Sequence, residues 1–296
     1  MINLFGHIVF ASAFTLCLKW VQIRRSEDIV TVGAINYITA AVLSFANFDP
    51  QTTSRTIDTG AVLTGATMGA CYFTAYFFVI YLIKWVGAAS STVVGSLSIL
   101  IPIVVAALLW QETPNPWQWA GIALAIASLS LIGVAKAAAT SPKMATTREE
   151  KAIDTSTNRV VMVLLGFFVI AGSSRLAQRA FGHLSTEEHR STFLLSAFAV
   201  AATASLILLL ARRHFPSQGE WCIGLALGAT NILHTRFLMK SLDQFPGYIV
   251  FPIASAGGLI FTTIIAAAFM GERNSRKTLI GISMAVIALV LLNVNQ

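Results

Sequence analysis

Charged residues are scarce in this chain, and their scarcity excludes a water-soluble fold. Asp, Glu, Lys and Arg make up 11% of the 296 residues, whereas an ordinary soluble domain contains roughly 25%. Hydrophobic residues make up 56%, and the mean hydropathy is +0.74. A soluble protein of this length cannot hide so many apolar side chains from water. Lipid must therefore cover the excess, and most of the chain lies in a membrane.

Recognisable enzyme and metal-binding motifs are also lacking. The sequence contains no HExxH, no CxxC and no phosphate-binding glycine loop followed by lysine. Cys17, Cys71 and Cys222 stand in apolar runs without metal-ligand spacing, which indicates small packing residues. We therefore predict no catalytic residues, no metal and no cofactor. The net charge of +7 falls mostly in short loops, where membrane topology accounts for it, so we also predict no nucleic-acid partner.

Ten apolar runs are long enough to cross a bilayer. A membrane helix needs about 20 residues, whereas the strands of a barrel would alternate polar and apolar residues over about ten, which these runs do not do. The sequence therefore predicts an all-α membrane protein with about ten transmembrane helices. The predicted spans are residues 3–22, 29–48, 58–83, 87–110, 116–136, 159–180, 190–211, 219–240, 245–270 and 277–294.

The two halves of the chain repeat each other on either side of one polar stretch. Similar residues recur at a nearly constant distance, so we predict a first five-helix repeat at 1–136, a polar linker at 137–158 and a second repeat at 159–296. Because each half has an odd number of helices, the second half must cross the membrane in the opposite sense, a plan typical of secondary transporters. The recurring pairs are Glu112 and Glu272, Gly121 and Gly281, Gly65 and Gly224, and Gly69 and Gly228.

The ends of the two halves carry a family resemblance. One helix ends in Glu112, the equivalent one ends in the Gly-Glu-Arg sequence at 271–273, and each is followed by a final helix that contains Gly121 or Gly281. In this pattern and in its architecture the chain resembles the drug/metabolite transporter superfamily, in particular its ten-helix EamA-like branch. The resemblance implies a transporter that works by alternating access on amino acids, drugs, sugar phosphates, nucleotide sugars or other metabolites, without specifying which.

The sequence leaves the sidedness open. The distribution of basic residues places the linker in the cytoplasm and both termini outside. Members of the resembled family are usually drawn with both termini in the cytoplasm, and Phe5-Gly6-His7 stands where the EamA-like branch commonly begins with Trp-Gly. Transport direction, coupling ion and oligomeric state are equally open.

Two arginines, Arg175 and Arg236, lie inside predicted spans that end on the same face. No Asp or Glu lies well inside any predicted span, and an unpaired charge in the membrane is expensive. Because the arginine fork suits carboxylate and phosphate, we predict that both arginines bind an anionic group of the substrate. Arg179 and Lys240, each one helical turn further out, extend this to a basic vestibule. The alternative is that both arginines snorkel to the lipid headgroups.

Other residues inside the spans are predicted to line or open the substrate path. His234 can in addition act as a proton site, although a membrane histidine is more often a packing residue. Proline permits a bend and glycine permits close helix contact, so we predict gating in helices four and nine, with tight packing as the alternative for the glycines. The predicted lining residues are His7, Tyr72, Tyr76, Ser91, Asn231, His234, Tyr248 and Ser255, and the predicted gating residues are Pro102, Pro252, Gly257 and Gly258.

These features favour a secondary transporter in the cell membrane that moves a small organic metabolite, with an anionic group preferred. Its predicted partners are a small-molecule substrate and the lipid bilayer. One alternative is a membrane-embedded lipid-processing enzyme, which would need clustered acids or histidines at one interface. Another is a non-transporting sensor or assembly subunit, which would need a partner-binding segment longer than the linker.

Overall fold

The described residues of this protein form a bundle of ten α-helices. The computed structural model describes residues 1–24, 28–48, 58–140, 157–213, 215–270 and 276–292, and these residues contain no strand, which confirms the all-α membrane fold. Five segments are long and apolar enough to span a membrane by themselves: Ile29–Ala46, Thr59–Phe78, Glu187–Arg212, Gln218–Gln244 and Gly247–Ile265. The helices are α1 (Ile2–Arg24), α2 (Ile29–Ala46), α3 (Thr59–Leu97), α4 (Leu100–Leu109), α5 (Pro116–Thr140), α6 (Thr157–Leu184), α7 (Arg190–Arg212), α8 (Gln218–Gln244), α9 (Gly247–Met270) and α10 (Arg276–Leu292).

Polar caps mark where the helices begin. The Asp28 carboxylate accepts hydrogen bonds from the first backbone N–H groups of α2, at 3.3 Å from Thr31. Ser217 and Glu220 form a capping box at the start of α8, with bonds of 3.2 and 2.7 Å. The first N–H groups of a helix have no partner within the helix, so these side chains stabilise each end. They also place polar residues at a membrane face.

α3 bends back on itself between Phe78 and Gly95. Phe78 lies against Gly166 of α6, and Gly95 lies against the next residue, Phe167. In a straight helix the seventeen steps from Phe78 to Gly95 would span about 25 Å, too far for contacts with neighbouring positions. The chain therefore passes α6 twice, once in each direction, which accounts for the third and fourth predicted spans.

The break between α3 and α4 follows from Pro102. Proline has no N–H to donate to the carbonyl four residues earlier, that of Ser98, and its ring crowds this carbonyl. The Ser98 carbonyl instead accepts from the Ile101 N–H at 3.2 Å, in a turn between the two helices. The predicted fourth span, 87–110, is therefore divided between the end of α3 and the short α4.

α1 and α6 cross the membrane in opposite directions. Contacting residues whose numbers rise together belong to parallel helices, and those whose numbers rise in opposition belong to antiparallel ones. By this criterion α1 is antiparallel to α8, α8 is parallel to α2, α2 is antiparallel to α3, and the first part of α3 is antiparallel to α6. The two halves thus cross the membrane in opposite senses, as an inverted repeat requires. The pairs are His7 with His234, Val21 with Leu227, Gly224 with Ile35, Gly228 with Thr39, Ile29 with Tyr76, Tyr37 with Tyr72, Gly60 with Leu184, and Phe78 with Gly166.

The repeated glycine pairs occupy equivalent contacts. Gly65 and Gly69 of α3 lie against the backbone of α7, and Gly224 and Gly228 of α8 lie against α2. A methyl group at any of the four would collide with the neighbouring helix, so glycine is required for this close approach. α3 corresponds to α8, and α7 to α2, in the two repeats. The same packing solution is therefore used twice.

α2, α6 and α8 begin at one membrane face and end at the other. We call the face where they end the Glu112 face, after the residue in the α4–α5 connection, and the opposite one the Asp28 face. The start of α1 and the end of α10 lie at the Glu112 face. α5 ends at Thr140 and α6 begins at Thr157, both at the Asp28 face and inside the predicted linker, of which residues 141–156 lie outside the described part of the chain. The predicted repeat boundaries stay predictions.

Candidate functional site

Arg175 of α6 meets the broken end of α3. Its Nη1 donates to the Gly95 carbonyl at 3.3 Å and to the Ser98 hydroxyl, which itself donates to the Gly95 carbonyl at 2.7 Å. The break next to Pro102 makes these groups available, because the helical ladder is interrupted there. Both partners of the guanidinium are neutral. Among the residues that the structure describes, no carboxylate contacts Arg175.

Arg175 lies well inside α6. It is nine positions from the end of the helix at Leu184, which corresponds to about 14 Å along the helix axis. It is therefore not a helix-end arginine of the kind that snorkels readily to the headgroups.

Tyr72 and Gln178 form the next contact beside Arg175. The Gln178 amide Nε2 donates to the Tyr72 hydroxyl at 2.8 Å, while the Tyr72 carbonyl accepts from the Tyr37 hydroxyl at 2.8 Å. Gln178 is 1% exposed, and its Oε1 has no hydrogen-bond partner among the described residues. A buried amide oxygen without a partner is unfavourable, so this atom is a candidate acceptor for a bound molecule or water.

His7 of α1 and His234 of α8 contact each other across the two halves. The His7 Nδ1 lies 2.8 Å from the His234 carbonyl, and the ring centroids are 5.4 Å apart. A carbonyl only accepts, so Nδ1 of His7 carries a proton and donates it. The His234 Nδ1 is buried and has no hydrogen-bond partner in the described structure.

Two asparagines join the same level of the bundle. The Asn231 Nδ2 donates to the Asn36 Oδ1 at 3.1 Å, and Thr235, fully buried, lies beside Tyr72. The Asn36 Nδ2 is a further buried group without a partner among the described residues. We call the whole set the central polar layer: His7, Asn36, Tyr72, Arg175, Gln178, Asn231, His234 and Thr235.

The structure does not bring Arg236 to this layer. Arg236 lies in a small recess between α2, α7 and α8, next to Ser44 and Ser191. It follows His234 by two residues, and positions two apart lie on nearly opposite sides of a helix. Arg175 and Arg236 therefore do not meet at one site in this structure.

The remaining predicted residues are distributed over several helices. Tyr76 donates to the Ile29 carbonyl at 2.8 Å and thereby joins α3 to the start of α2. Tyr248 packs, partly buried, against the apolar cluster around Leu4, and Ser255 is also partly buried. Ser91 belongs to α3, but its side chain lies outside the described part of the structure.

The residues predicted to gate α9 contact α1. Pro252 is buried within α9, which stays helical around it. Gly257 lies against Ile8, and the Gly258 carbonyl accepts from the Ser12 hydroxyl at 3.1 Å. Close packing thus explains Gly257, and the gating role of these residues stays a prediction.

A cluster around Glu112 closes part of the Glu112 face. Glu112 Oε1 accepts from Arg179 Nε at 2.7 Å and lies 3.0 Å from His183 Nε2, and Oε2 accepts from the Gly247 N–H at 3.1 Å. Trp110 stacks on His183 with ring centroids 4.2 Å apart. We call these five residues the Glu112 cluster. It connects the first half, through Glu112 and Trp110, to α6 and α9 of the second half.

This cluster corrects the prediction of an unpaired basic vestibule. Arg179 is neutralised by Glu112 and donates through Nη1 to the Leu242 carbonyl at 2.8 Å. Lys240 is exposed. The sequence contained Glu112, but its distance from Arg179 depends on how the two halves meet. Its equivalent, Glu272, lies outside the described residues.

A cavity leads from the Glu112 face toward the central polar layer. It has a volume of about 560 Å³, lies between the ends of α6 and α8, and is lined by Arg179, His183 and Asp243 among others. Gln178, a member of the central polar layer, also lines it. Toward the Asp28 face the route is filled by an apolar cluster that contains Val21 and Leu227.

The Asp28 face carries its own contact between the halves. Arg212 at the end of α7 forms an ion pair with Asp28, and the Asp28 N–H donates to Glu220 at 2.8 Å. Partial burial raises the pKa of Asp28, but the hydrogen bond from Thr31 and the charge of Arg212 outweigh it and hold the pKa below its ordinary value. The carboxylate is therefore charged at neutral pH.

The fold and the site together define a class: a multi-pass α-helical membrane protein of two inverted halves that enclose a polar layer between them. Residues 1–134 match the EamA-like transporter family. This match confirms the resemblance to the drug/metabolite transporter superfamily, and it covers 134 of the 296 residues. The members of the matched family are transporters, and the match indicates a transporter of the drug/metabolite type.

Two further similarities extend over nearly the whole chain. An uncharacterized protein of Haemophilus influenzae is 24% identical over 302 residues, which cover 99% of this chain and 97% of that protein. A protein of known crystal structure is similar with a TM-score of 0.72 and 14% identity, over 99% of this chain and 95% of the other. The second similarity concerns the fold alone.

Proposed function

We propose that this protein is a secondary transporter that moves a small organic metabolite with an anionic group across the cell membrane by alternating access. The observation that carries the proposal is the environment of Arg175. This cation lies well inside α6, and within the described part of the chain its hydrogen bonds go to the neutral Gly95 carbonyl and Ser98 hydroxyl.

The electrostatic argument concerns the missing countercharge. Removing a charged group from water is unfavourable unless an opposite charge or strong hydrogen bonds replace the water. Arg175 donates from Nη1, and no carboxylate in the described part of the chain contacts it to neutralise its charge. A carboxylate or phosphate of the substrate would supply both the countercharge and acceptors for the planar guanidinium.

Polar neighbours provide the remaining contacts for an anionic molecule. The Tyr72 hydroxyl accepts from Gln178, so its own hydrogen is available to donate. Gln178 Oε1 and Asn36 Nδ2 offer one acceptor and one donor without partners among the described residues. These groups favour a substrate that has hydroxyl or amide groups in addition to its charge.

The inverted halves support the alternating-access part of the proposal. Contacts between the halves lie at both faces, in the Glu112 cluster and in the Asp28–Arg212 pair. Both lie beyond the central polar layer, on opposite sides of it. Rocking of one half against the other can separate one contact while the other stays formed, as in other inverted-repeat transporters.

Uptake into proteoliposomes tests the proposal. The purified protein is reconstituted and assayed with radiolabelled pyruvate, glutamate, inorganic phosphate, glucose phosphate and UDP-glucose. At least one of these anions is expected to be taken up. Arg175→Gln is expected to lower its uptake roughly 10- to 100-fold, because a hydrogen bond to a charged group contributes about 1.5–3 kcal/mol. Arg175→Lys retains the charge but loses the planar guanidinium, and its uptake is expected to lie between that of the wild type and that of Arg175→Gln.

Arg236→Gln is the matched control. It removes the same charge from a site outside the central polar layer, so uptake is expected to change less than threefold, or about 0.6 kcal/mol. Normal uptake by Arg175→Gln would contradict the proposal. Loss of uptake in Arg236→Gln alone would favour the alternative in which Arg236 holds the anion.

A further inference from the structure

The proposed function leaves one group in the central polar layer without an assigned chemical role. His7 and His234 come from opposite halves of the bundle and contact each other beside the layer that holds Arg175. His7 is 8% exposed. Two histidine rings in contact, at a level where the described residues include no carboxylate, are the titratable groups best placed to accept a proton there.

The hydrogen bonds determine where a proton can be added. Nδ1 of His7 donates to the His234 carbonyl, so in the neutral ring Nε2 carries the lone pair. The His234 Nδ1 is a second buried ring nitrogen without a partner among the described residues. Each histidine thus offers one nitrogen at which a proton from water can form an N–H bond.

The groups that face the pair determine when the proton is retained. Arg175 of α6 acts on His7, Tyr72 of α3 lies beside Arg175 and Thr235, and Tyr37 of α2 contacts Tyr72, while the titratable residue of α9, Tyr248, lies at the Glu112 end of its helix. Among these the charged neighbour is Arg175, which lies within electrostatic reach of His7. With the site empty, its positive charge opposes a second positive charge on the imidazole.

An anion on Arg175 reverses this balance. It neutralises the guanidinium, which is the positive charge that acts on His7, and brings a negative charge into the same polar layer. A negative charge within roughly 6 Å favours a protonated imidazole about tenfold or more. Binding is reciprocal, so the proton strengthens anion binding by the same factor.

We propose that the His7–His234 pair is a proton-binding site, and that the protein carries one proton together with each monovalent negative charge of its substrate. The inference rests on the proposed function, because it requires an anion on Arg175. The loaded site then has the same net charge as the empty one. Both forms can therefore change orientation without carrying an additional charge through the membrane.

Proteoliposomes with a pH gradient test the proposal, with the same five radiolabelled anions as probes. A gradient in which the outside is one pH unit more acidic than the vesicle lumen is expected to raise the accumulation of a transported monoanion about tenfold, because one proton enters with it. His7→Asn keeps a donor for the His234 carbonyl but cannot be protonated. The double variant, which combines His7→Asn with His234→Asn, is expected to abolish the effect of the gradient on accumulation.

A second readout separates a proton site from a structural role. Counterflow, in which labelled anion enters in exchange for unlabelled anion without a pH gradient, is expected to rise as the pH falls in the wild type and to lose this pH dependence in the double variant, whereas a merely structural role would lower counterflow equally at every pH. His189→Asn, a histidine outside the central polar layer, is the matched control and is expected to keep the response to the gradient.

The outcomes distinguish the two proposals. Uptake that depends on Arg175 but ignores the gradient overturns the proton site and leaves the proposed function intact. Gradient-driven accumulation in the double variant likewise overturns the proton site and leaves the proposed function intact. If none of the five anions is transported under any gradient, both proposals are overturned.

Discussion

Two arginines one turn apart on α6 have opposite surroundings. Arg179 donates to the Glu112 carboxylate and lies in a cluster that joins the two halves at one face. Arg175 lies deeper and contacts a carbonyl and a hydroxyl, without a carboxylate in the described part of the chain. The same residue type, on the same side of the same helix, is therefore paired in one position and unpaired in the other.

The difference shows how charge can be used in two ways within one bundle. An ion pair between halves stabilises a closed face, since separating it leaves two partly buried charges unpaired. A cation with neutral partners stabilises nothing by itself and instead binds an anion that arrives. The comparison is open to direct tests that exchange the two environments.

Giving Arg175 a carboxylate should have the largest effect. Ser98→Asp places a permanent anion at the atom that Arg175 now contacts, so the substrate anion must compete with it. Anion uptake in proteoliposomes is expected to fall roughly tenfold or more, because a charge-assisted hydrogen bond contributes about 1.5–3 kcal/mol. The thermal unfolding midpoint is expected to equal or exceed that of Ser98→Asn.

Ser98→Asn serves as the uncharged control of nearly the same size. It is expected to retain more uptake than Ser98→Asp. Equal uptake in the two variants would mean that the countercharge of Arg175 does not limit transport.

Removing the Glu112 carboxylate that pairs with Arg179 should have the second-largest effect. Glu112→Gln leaves Arg179 and His183 without their acid and is expected to lower the free energy of unfolding by about 1–3 kcal/mol. Arg175→Gln, which removes a cation with neutral partners, is expected to destabilise less. Denaturant unfolding in detergent micelles measures both.

A double-mutant cycle isolates the ion pair. Glu112→Gln with Arg179→Gln is expected to destabilise less than the sum of the single changes, by roughly 0.5 kcal/mol or more. Additive single effects would show that the two side chains are not coupled.

The Asp28–Arg212 pair should give the smallest effect, because its side chains are 30% and 39% exposed. Asp28→Asn is expected to lower the free energy of unfolding at pH 7 by about 0.2–1 kcal/mol. The folded pKa of Asp28 lies below its ordinary value, so this contribution is complete above that ordinary value and is lost as the pH falls through the folded pKa. The difference between wild type and variant, followed by unfolding from neutral to acidic pH, is therefore expected to shrink toward zero. A difference that grows on acidification would contradict the pairing.

Most of the fold was predictable because the bilayer restricts the possible structures. Apolar runs of about 20 residues can only be helices, since every backbone polar group in hydrocarbon must be bonded within the chain. The repeated glycines Gly65 and Gly224 pointed to equivalent packing, and the structure places both at helix contacts. Pro102 was predicted to permit a bend in the fourth span, and the structure has a break there, between α3 and α4.

The candidate site was predictable only in part. Arg175, His7 and Asn231 stood out as polar residues in apolar spans, and the structure places them in or beside one layer. Gln178 was missed, although it lies one turn from Arg175 on α6. Arg236 was grouped with Arg175 because depth can be counted along a helix, whereas the direction of a side chain depends on which helices surround it.

By itself, the sequence determined the membrane location, the helical class and the inverted repeat, because hydrophobic length and an odd number of spans follow from residue order alone. Only the tertiary structure decided which polar groups meet. Glu112 and Arg179 are 67 residues apart in the chain, and Arg175 and Ser98 are 77 apart. Whether a buried cation has a carboxylate partner depends on how helices from both halves pack, and residue order does not specify that packing.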